Sequence, residues 1–359
     1  MKIIQMLPCL NYGDAIGNDV IAIHHALQEN GYQSQIIAEV VDQRLGNDLA
    51  QTIDQWKAPK KDDIIIYHLS VGWKYINYVT DAKCRKICIY HNITPAHFYK
   101  NYDSTAYNYC LTGIEEVKRI AGAFDYCLAD SDFNRQDLIS YGFKCKIDVL
   151  PILIAFDDYK KEPGKGVIRK YKDTPGANIL FVGRVVPNKM HEDLIRAFYL
   201  YKKYYDPDAK LFLVGRYIET DVYYRRLKGY IDALGVQDVI FPGHIKFNDI
   251  LAYYSIADVF LCMSEHEGFC VPLVESMFFH VPILAYDSTA IASTLGGSGI
   301  LFREKNMTEV AGLIDRVVKD QELRKAMIEG QDRRLKDFDN AVVMDMFLKY
   351  LKDFIAQDQ

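Results

Sequence analysis

ANILFVGRVVPNKMHEDLIRAFYLYKKYY (177–205) is the stretch that decides the fold. It opens with an apolar run bounded by polar residues, which reads as a buried strand. A helical pattern follows from Lys189 to Tyr205, with Leu194, Phe198, Tyr201 and Tyr205 on one face. KLFLVG (210–215) then starts a second strand. Strand, helix and strand in that order predict parallel pairing, because parallel strands need a crossover to join them.

The alternation runs through DVIFPG (238–243), DVFLCMS (258–264) and VPILAY (281–286). It also fills the first half of the chain. KIIQMLP (2–8) reads as a strand, DVIAIHHALQEN (19–30) as a helix closed by Gly31, and QSQIIAE, DDIIIYHL, RKICIYHN and AFDYCLAD as further strands. Between the halves, DDYKKEPGKGVIRKYKDTPGAN (157–178) is charged and rich in Pro and Gly, so a connection is expected there. The 359 residues are too many for one ordinary core. They divide into a domain over 1–155, a linker over 156–176, a domain over 177–337 and a terminal helix over 338–359. Ligands of open parallel sheets bind at the carboxyl ends of strands, so residues just after strands are the ones to read for chemistry.

Composition narrows the function. Half of the residues are apolar, a quarter are charged and the formal net charge is −5. There is no basic excess to suggest nucleic-acid binding. No apolar run is long enough to span a membrane, and the N-terminus meets Gly13 and Asp14 too early for a signal peptide. Lys83, Arg85 and Lys86 offer at most a weak basic surface for peripheral membrane association. The eight cysteines include no CxxC pair, and Cys88, Cys127 and Cys262 lie within apolar runs. Reduced core thiols in a cytoplasmic protein are expected.

Three loops carry candidate chemistry. In FVGRVVPNKMHEDL (181–194), Gly183 ends a strand, Arg184 supplies a planar fork and Lys189 a point charge at a helix start, a set suited to a diphosphate. In SEHEGFCVPLVESM (264–277), Glu267 lies before a helix opened by Pro272, and Glu275 lies within it. The N–H groups of Phe269, Cys270 and Val271 point out of that helix start. In CLNYGDAIGND (9–19), Gly13 and Gly17 allow close approach of backbone to ligand, and Asn18 or Asp19 can cap the next helix. This loop is not GxGxxG, so a dinucleotide is poorly supported. His91 follows a strand; the other eight histidines read as structural. A solvated surface or a plain turn remains the alternative at each of these places.

The pair FVGR-x4-K and E-x7-E, the latter written EGFCVPLVE (267–275), resembles glycosyltransferase family 4. The resemblance implies the GT-B fold: two Rossmann-like, doubly wound α/β domains facing across a cleft, with a C-terminal helix crossing back to the N-terminal domain. It implies retaining, metal-independent transfer from a nucleotide diphosphate sugar held by the C-terminal domain. A glycan or lipid-linked saccharide acceptor would be held by the N-terminal one. No cofactor and no metal ligand are expected, and bacterial surface polysaccharide synthesis, at the inner face of the membrane, is the setting it suggests. Arg184 and Lys189 match the diphosphate pair, Glu275 the carboxylate on the ribose, Glu267 the one near the reacting carbon and His91 the N-domain histidine near the sugar. Gly13 and Gly17 match the family's glycine loop loosely. Cys270 departs from the family, which commonly has Gly there. Two alternatives stand beside this reading. One is a non-catalytic nucleotide-sugar-binding subunit. The other is a metal-dependent GT-A enzyme using the DxD of Asp130 and Asp132, a triplet that recurs at Asp206–Asp208 and Asp337–Asp339.

Overall fold

A computed structural model describes residues 1–46 and 48–357. The chain folds as two compact units. The first comprises Met1–Ala96, Thr105–Ala155 and the chain from Asp337 onward; the second comprises His97–Ser104 and Phe156–Lys336.

The first unit is built on seven strands: β1 (Lys2–Leu10), β2 (Gln33–Val41), β3 (Gln51–Thr52), β4 (Ile64–Leu69), β5 (Arg85–Tyr90), β6 (Tyr126–Ala129) and β7 (Lys146–Val149). Their order is β3-β2-β1-β4-β5-β6-β7, and every pairing is parallel. Strands buried on both faces read as continuous apolar runs rather than alternating ones. Period-two geometry then deals their side chains to two cores. Ile4, Met6, Ile65, Tyr67, Cys88, Tyr90 and Cys127 pack on one face. Ile3, Ile64, Ile66, Ile87, Ile89 and Leu128 pack on the other, beneath Ile23 and Leu27 of the helix Ala15–Glu29.

That second face is completed by the last helix, Asn340–Ala356, through Val343, Phe347, Leu351 and Phe354. The heptad-like spacing of these residues places one apolar stripe against the sheet. Arg85 holds the end of this helix. Its guanidinium donates to the Phe354 carbonyl at 2.7 Å and lies over the Phe354 ring at 4.6 Å. Lys86 donates to the carbonyls of Ala82 and Cys84. Two of the three cations considered for a membrane-facing patch therefore bind the protein's own backbone. Among the described residues, no helix is long and apolar enough to cross a membrane.

The second unit has six strands: β8 (Asn178–Val182), β9 (Lys210–Val214), β10 (Val239–Ile240), β11 (Val259–Cys262), β12 (Ile283–Tyr286) and β13 (Ile300–Phe302). They are ordered β10-β9-β8-β11-β12-β13, again all parallel. The chain winds outward from β8 to one edge and then returns to β11 beside it. Segment 156–176, expected to be a linker, instead carries the helices Phe156–Tyr159 and Lys165–Tyr171 and folds with this unit. Tyr171 explains why: it is buried edge-on against Phe212 at 4.9 Å. The charges that suggested an open linker lie on the solvent side.

The packing of the last helix makes a testable contrast. Phe347 is fully buried, whereas Val342 on the same helix is 46% exposed. Phe347→Ala should destabilise the first unit by about 3–5 kcal/mol, and Val342→Ala should stay within about 0.5 kcal/mol of the wild type. Urea denaturation of both variants checks the difference.

Candidate functional site

In the second unit the switch in strand order falls between β8 and β11, which pair through Val259↔Ile179 and Phe260↔Leu180. The loops leaving these strands therefore lie side by side at the carboxyl edge. One carries Gly183, Arg184 and Lys189, the other Glu267, Phe269 and Cys270. They are tied by backbone. Glu265 N–H donates to the Asn188 carbonyl at 2.9 Å, and the buried Asn188 amide donates to the His266 carbonyl at 3.0 Å. Lys305 bridges Asp193 and Glu265, each at 2.8 Å. Sequence reading missed Asn188 and Lys305, because residues that hold loops together have no motif of their own.

The centre of this arrangement is an ion pair. Lys189 Nζ contacts both oxygens of Glu267, at 2.5 and 2.6 Å. Burial pulls the Lys189 pKa down, but the Glu267 charge more than offsets it, so the value rises and the ammonium is kept charged. The two residues had separate roles in the sequence reading; the structure makes them one unit. Glu267 is placed by its own N–H, which donates to Thr289 Oγ1 at 2.9 Å. Arg184, in contrast, is exposed, and no side-chain partner is found for it among the described residues.

The helix Val271–Phe278 begins directly after this pair, with Cys270 at its N-cap. The N–H groups of Cys270 and Val271 have no carbonyl one turn earlier to bind. Cys270 has φ +73, a left-handed conformation that costs a side-chain-bearing residue roughly 1–2 kcal/mol and that glycine adopts freely. Within the helix, Glu275 is held by two tyrosines. Tyr159 donates to Oε1 at 2.8 Å and Tyr254 to Oε2 at 2.5 Å. Burial raises the Glu275 pKa, and the two hydroxyls oppose the rise. Each oxygen keeps acceptor capacity for a further donor. Nothing in the sequence singled out Tyr159 or Tyr254 among 26 tyrosines.

The first unit holds a second constellation at its own switch point, between β1 and β4. Four adjacent strands each contribute one side chain: Gln5 from β1, His68 from β4, His91 after β5 and Asp130 after β6. The Gln5 amide donates to the Val20 carbonyl at 3.1 Å, which leaves its oxygen to accept from His68 Nε2 at 2.9 Å. Burial lowers the His68 pKa, so this ring is neutral and its Nδ1 accepts. His91 Nε2, 3.0 Å away, must then carry a proton. His91 Nδ1 faces Asp130 Oδ2 at 2.9 Å. Burial opposes a charge on His91, but Asp130 overcomes it and raises the pKa. His91 is thus an imidazolium with both nitrogens engaged. As placed, it has no ring nitrogen to offer a sugar, contrary to the catalytic contact expected of it. His68, Gln5 and Asp130 went unread as its partners, because their proximity follows from strand order.

Two sequence expectations are corrected here. The helix begins at Ala15, not Asp19, and its cap is Asp14, whose Oδ1 accepts from Gly17 N–H at 2.6 Å. A Cβ on Gly17 would lie 2.3 Å from the Asn11 carbonyl oxygen, so the glycine serves the turn and its N–H is committed within it. Gly13 needs its φ of +76 for the same turn. The Asp130–Asp132 triplet is split: Asp130 is buried on His91, and Asp132 is exposed and paired with Arg135 at 2.5 Å. The two carboxylates do not converge on a metal.

Comparison with known proteins agrees with this architecture. The chain superposes on sucrose-phosphate synthase from Thermosynechococcus elongatus with a TM-score of 0.77 at 17% identity, over 99% of this chain and 100% of that one. It superposes on Anabaena HepE, solved in complex with UDP and glucose, with a TM-score of 0.75 at 16% identity, over 98% and 100%. The fold is GT-B. Residues 168–334 match the family described as glycosyl transferases group 1. Among curated proteins, the serotype-specific mannosyltransferase WbdA of Escherichia coli is 23% identical over 247 residues, 66% of this chain and 29% of that protein. The O-antigen chain mannosyltransferase B of the same species is 24% identical over 205 residues, 55% and 52% respectively. The match thus covers about a third to a half of these relatives' length.

The buried cluster of the first unit predicts a pH dependence. Burial raises the Asp19 carboxyl, beside His91 and Asp130, to about 7. A raised carboxyl gives stability that is full below its unfolded value near 3.8 and is lost as pH rises towards 7. The His91 contribution, raised from 6.5, is lost only above that unfolded value, as pH passes the folded one. Relative to the wild type, Asp19→Asn should lose a decline in unfolding free energy of about 1.4 kcal/mol per pH unit between about pH 4 and 7; urea denaturation of both proteins across that range checks it, and a stability difference that stays constant with pH would refute it.

Proposed function

We propose that the chain transfers a sugar from a nucleotide diphosphate sugar to a glycan or lipid-linked saccharide, with retention at the anomeric carbon, in bacterial surface polysaccharide synthesis. The observation that carries this reading is the Lys189–Glu267 pair, with Lys189 on the loop that also carries the exposed Arg184 and Glu267 ahead of the helix Val271–Phe278. Similarity to O-antigen mannosyltransferases supports the setting and makes a mannosyl nucleotide the first donor to try.

In this reading, Arg184 and the third N–H of Lys189 bind the diphosphate, together with the helix N-terminus. Departure of the diphosphate builds negative charge there and positive charge on the sugar. Fixed cations stabilise the first, so neither a protein acid nor a metal is required. Glu267 has two duties: it aims Lys189 at the phosphate and it faces the sugar carbon where positive charge develops. Glu275 takes the ribose hydroxyls, with Tyr159 and Tyr254 as positioning residues. The first unit binds the acceptor. There, the His91 imidazolium acts as a fixed buried charge at the carboxyl end of its strand rather than as a base.

A panel of nucleotide sugars, screened by thermal shift and hydrolysis in EDTA, tests the reading. One donor should stabilise the protein and be consumed without metal. Loss of all turnover in EDTA with recovery in Mn²⁺ would refute it, and binding without turnover on any acceptor would favour a binding subunit.

The ion pair makes a sharper kinetic prediction. If Lys189 and Glu267 act as one unit, their effects are not additive. Lys189→Ala, Glu267→Gln and the double variant should each lose a similar factor in kcat, about 10- to 150-fold. Glu275→Gln should act instead on donor KM, as expected for a contact equally strong in the ground and transition states. A double variant whose loss equals the product of the single losses would separate the two residues again.

A further inference from the structure

Cys262 ends β11 and Cys270 caps the helix Val271–Phe278, so both thiols border the loop that carries Glu267. Their sulfurs and a Glu267 carboxylate oxygen all lie within 4.8 Å of one another, and all three residues are buried. We propose that Cys262, Glu267 and Cys270 form a binding site for one thiophilic divalent cation, such as Zn²⁺ or Cd²⁺, which shuts off the donor site by taking the Glu267 carboxylate away from Lys189.

The donor set suits such an ion. Two sulfurs and one oxygen are the ligands of a three-coordinate protein site that keeps a fourth position for water. Soft thiolates select Zn²⁺ and Cd²⁺ over Mg²⁺ or Mn²⁺. A tetrahedral ion with bonds of about 2.3 Å holds two sulfurs about 3.8 Å apart, so closure requires a contraction of at most about 1 Å. Lys189 is in the same pocket, and the helix N-terminus points at Cys270. The Cys270 thiol donates to the Cys262 sulfur, so the two sulfurs already face each other. The other titratable groups facing the cluster are His266, which burial keeps neutral, and Tyr254, which burial keeps protonated.

The exchange balances in charge. Without the ion, two neutral thiols adjoin one carboxylate and one ammonium. Binding replaces the two thiol protons by M²⁺ and releases them to solvent, forming two metal–sulfur bonds and one metal–oxygen bond. Two thiolates, one carboxylate, one ammonium and one divalent ion again sum to zero, so no net charge is buried. Inhibition follows because the ion occupies Glu267, and that half of the proposal rests on the function proposed above. Binding itself does not.

Co²⁺ added to the reduced full chain without nucleotide sugar separates the two halves. We expect one Co²⁺ per chain with thiolate-to-metal absorption, displacement by Zn²⁺, and affinity that rises about 100-fold per pH unit because two protons leave. Cys270→Gly, which also relieves the positive φ, and Cys262→Ser should each abolish the absorption, with a urea denaturation curve of Cys262→Ser that matches the wild type reporting an intact fold. Absence of the absorption at one equivalent overturns the site. So does absorption that survives both substitutions, which would assign it to Cys127 and Cys145, 3.4 Å apart elsewhere. With a donor in hand, Zn²⁺ should inhibit the wild type and spare Cys262→Ser; equal inhibition of both overturns the switch while leaving the bound ion.

Discussion

Everything at the carboxyl edge of the second unit depends on the parallel pairing of β8 with β11. These strands are about 80 residues apart in the chain, and they are neighbours only because the sheet is wound outward from β8 in both directions. Two loops that leave adjacent parallel strands at the same end must run together. Lys189 and Glu267 meet for this reason and not through any local property of either loop. The backbone carbonyl and side-chain amide of Asn188 then fix the loops to each other. Opposite charges that would be costly to bury singly become tolerable as a pair.

The same winding rule, applied to four adjacent strands, gives the first unit a different result. Gln5, His68, His91 and Asp130 climb across the sheet, each on the face that also carries Ile3, Ile66, Ile89 and Leu128. One carbonyl, that of Val20, sets the orientation of an amide, and each later proton position follows from the one before. A single donor–acceptor choice on β1 thus fixes the proton position on a ring two strands away.

The sheets were legible in the sequence because strands buried on both faces are written as unbroken apolar runs, and the residues after them could be named before any geometry was known. Arg184, Lys189, Glu267 and Glu275 emerged in this way. What escaped was what strand order alone determines. His68 sits in the middle of an apolar run and looks like any core histidine, while Tyr159 lies in a charged segment that read as a connection. The start of the first helix was misplaced because Gly13 and Gly17 suggest a loop; an aspartate cap at Asp14 with its partner N–H at Gly17 is a helix start written in weak helix formers. The glycine preferred at position 270 also has a local cause, since the backbone there is left-handed whatever residue occupies it.

The helix Asn340–Ala356 belongs to the first unit, yet it follows the whole of 156–336 in the chain. During synthesis the sheet of the first unit emerges early, while the stripe that covers Ile64, Ile66 and Ile87 is made only after 156–336. The second unit, nearly continuous in sequence, has all but one short segment of its residues in a single run and can close while the first still shows an apolar face. Nascent chains of this protein therefore pass through a stage in which the sheet of the first unit waits for its cover, the stage at which chaperones and aggregation compete for exposed surface.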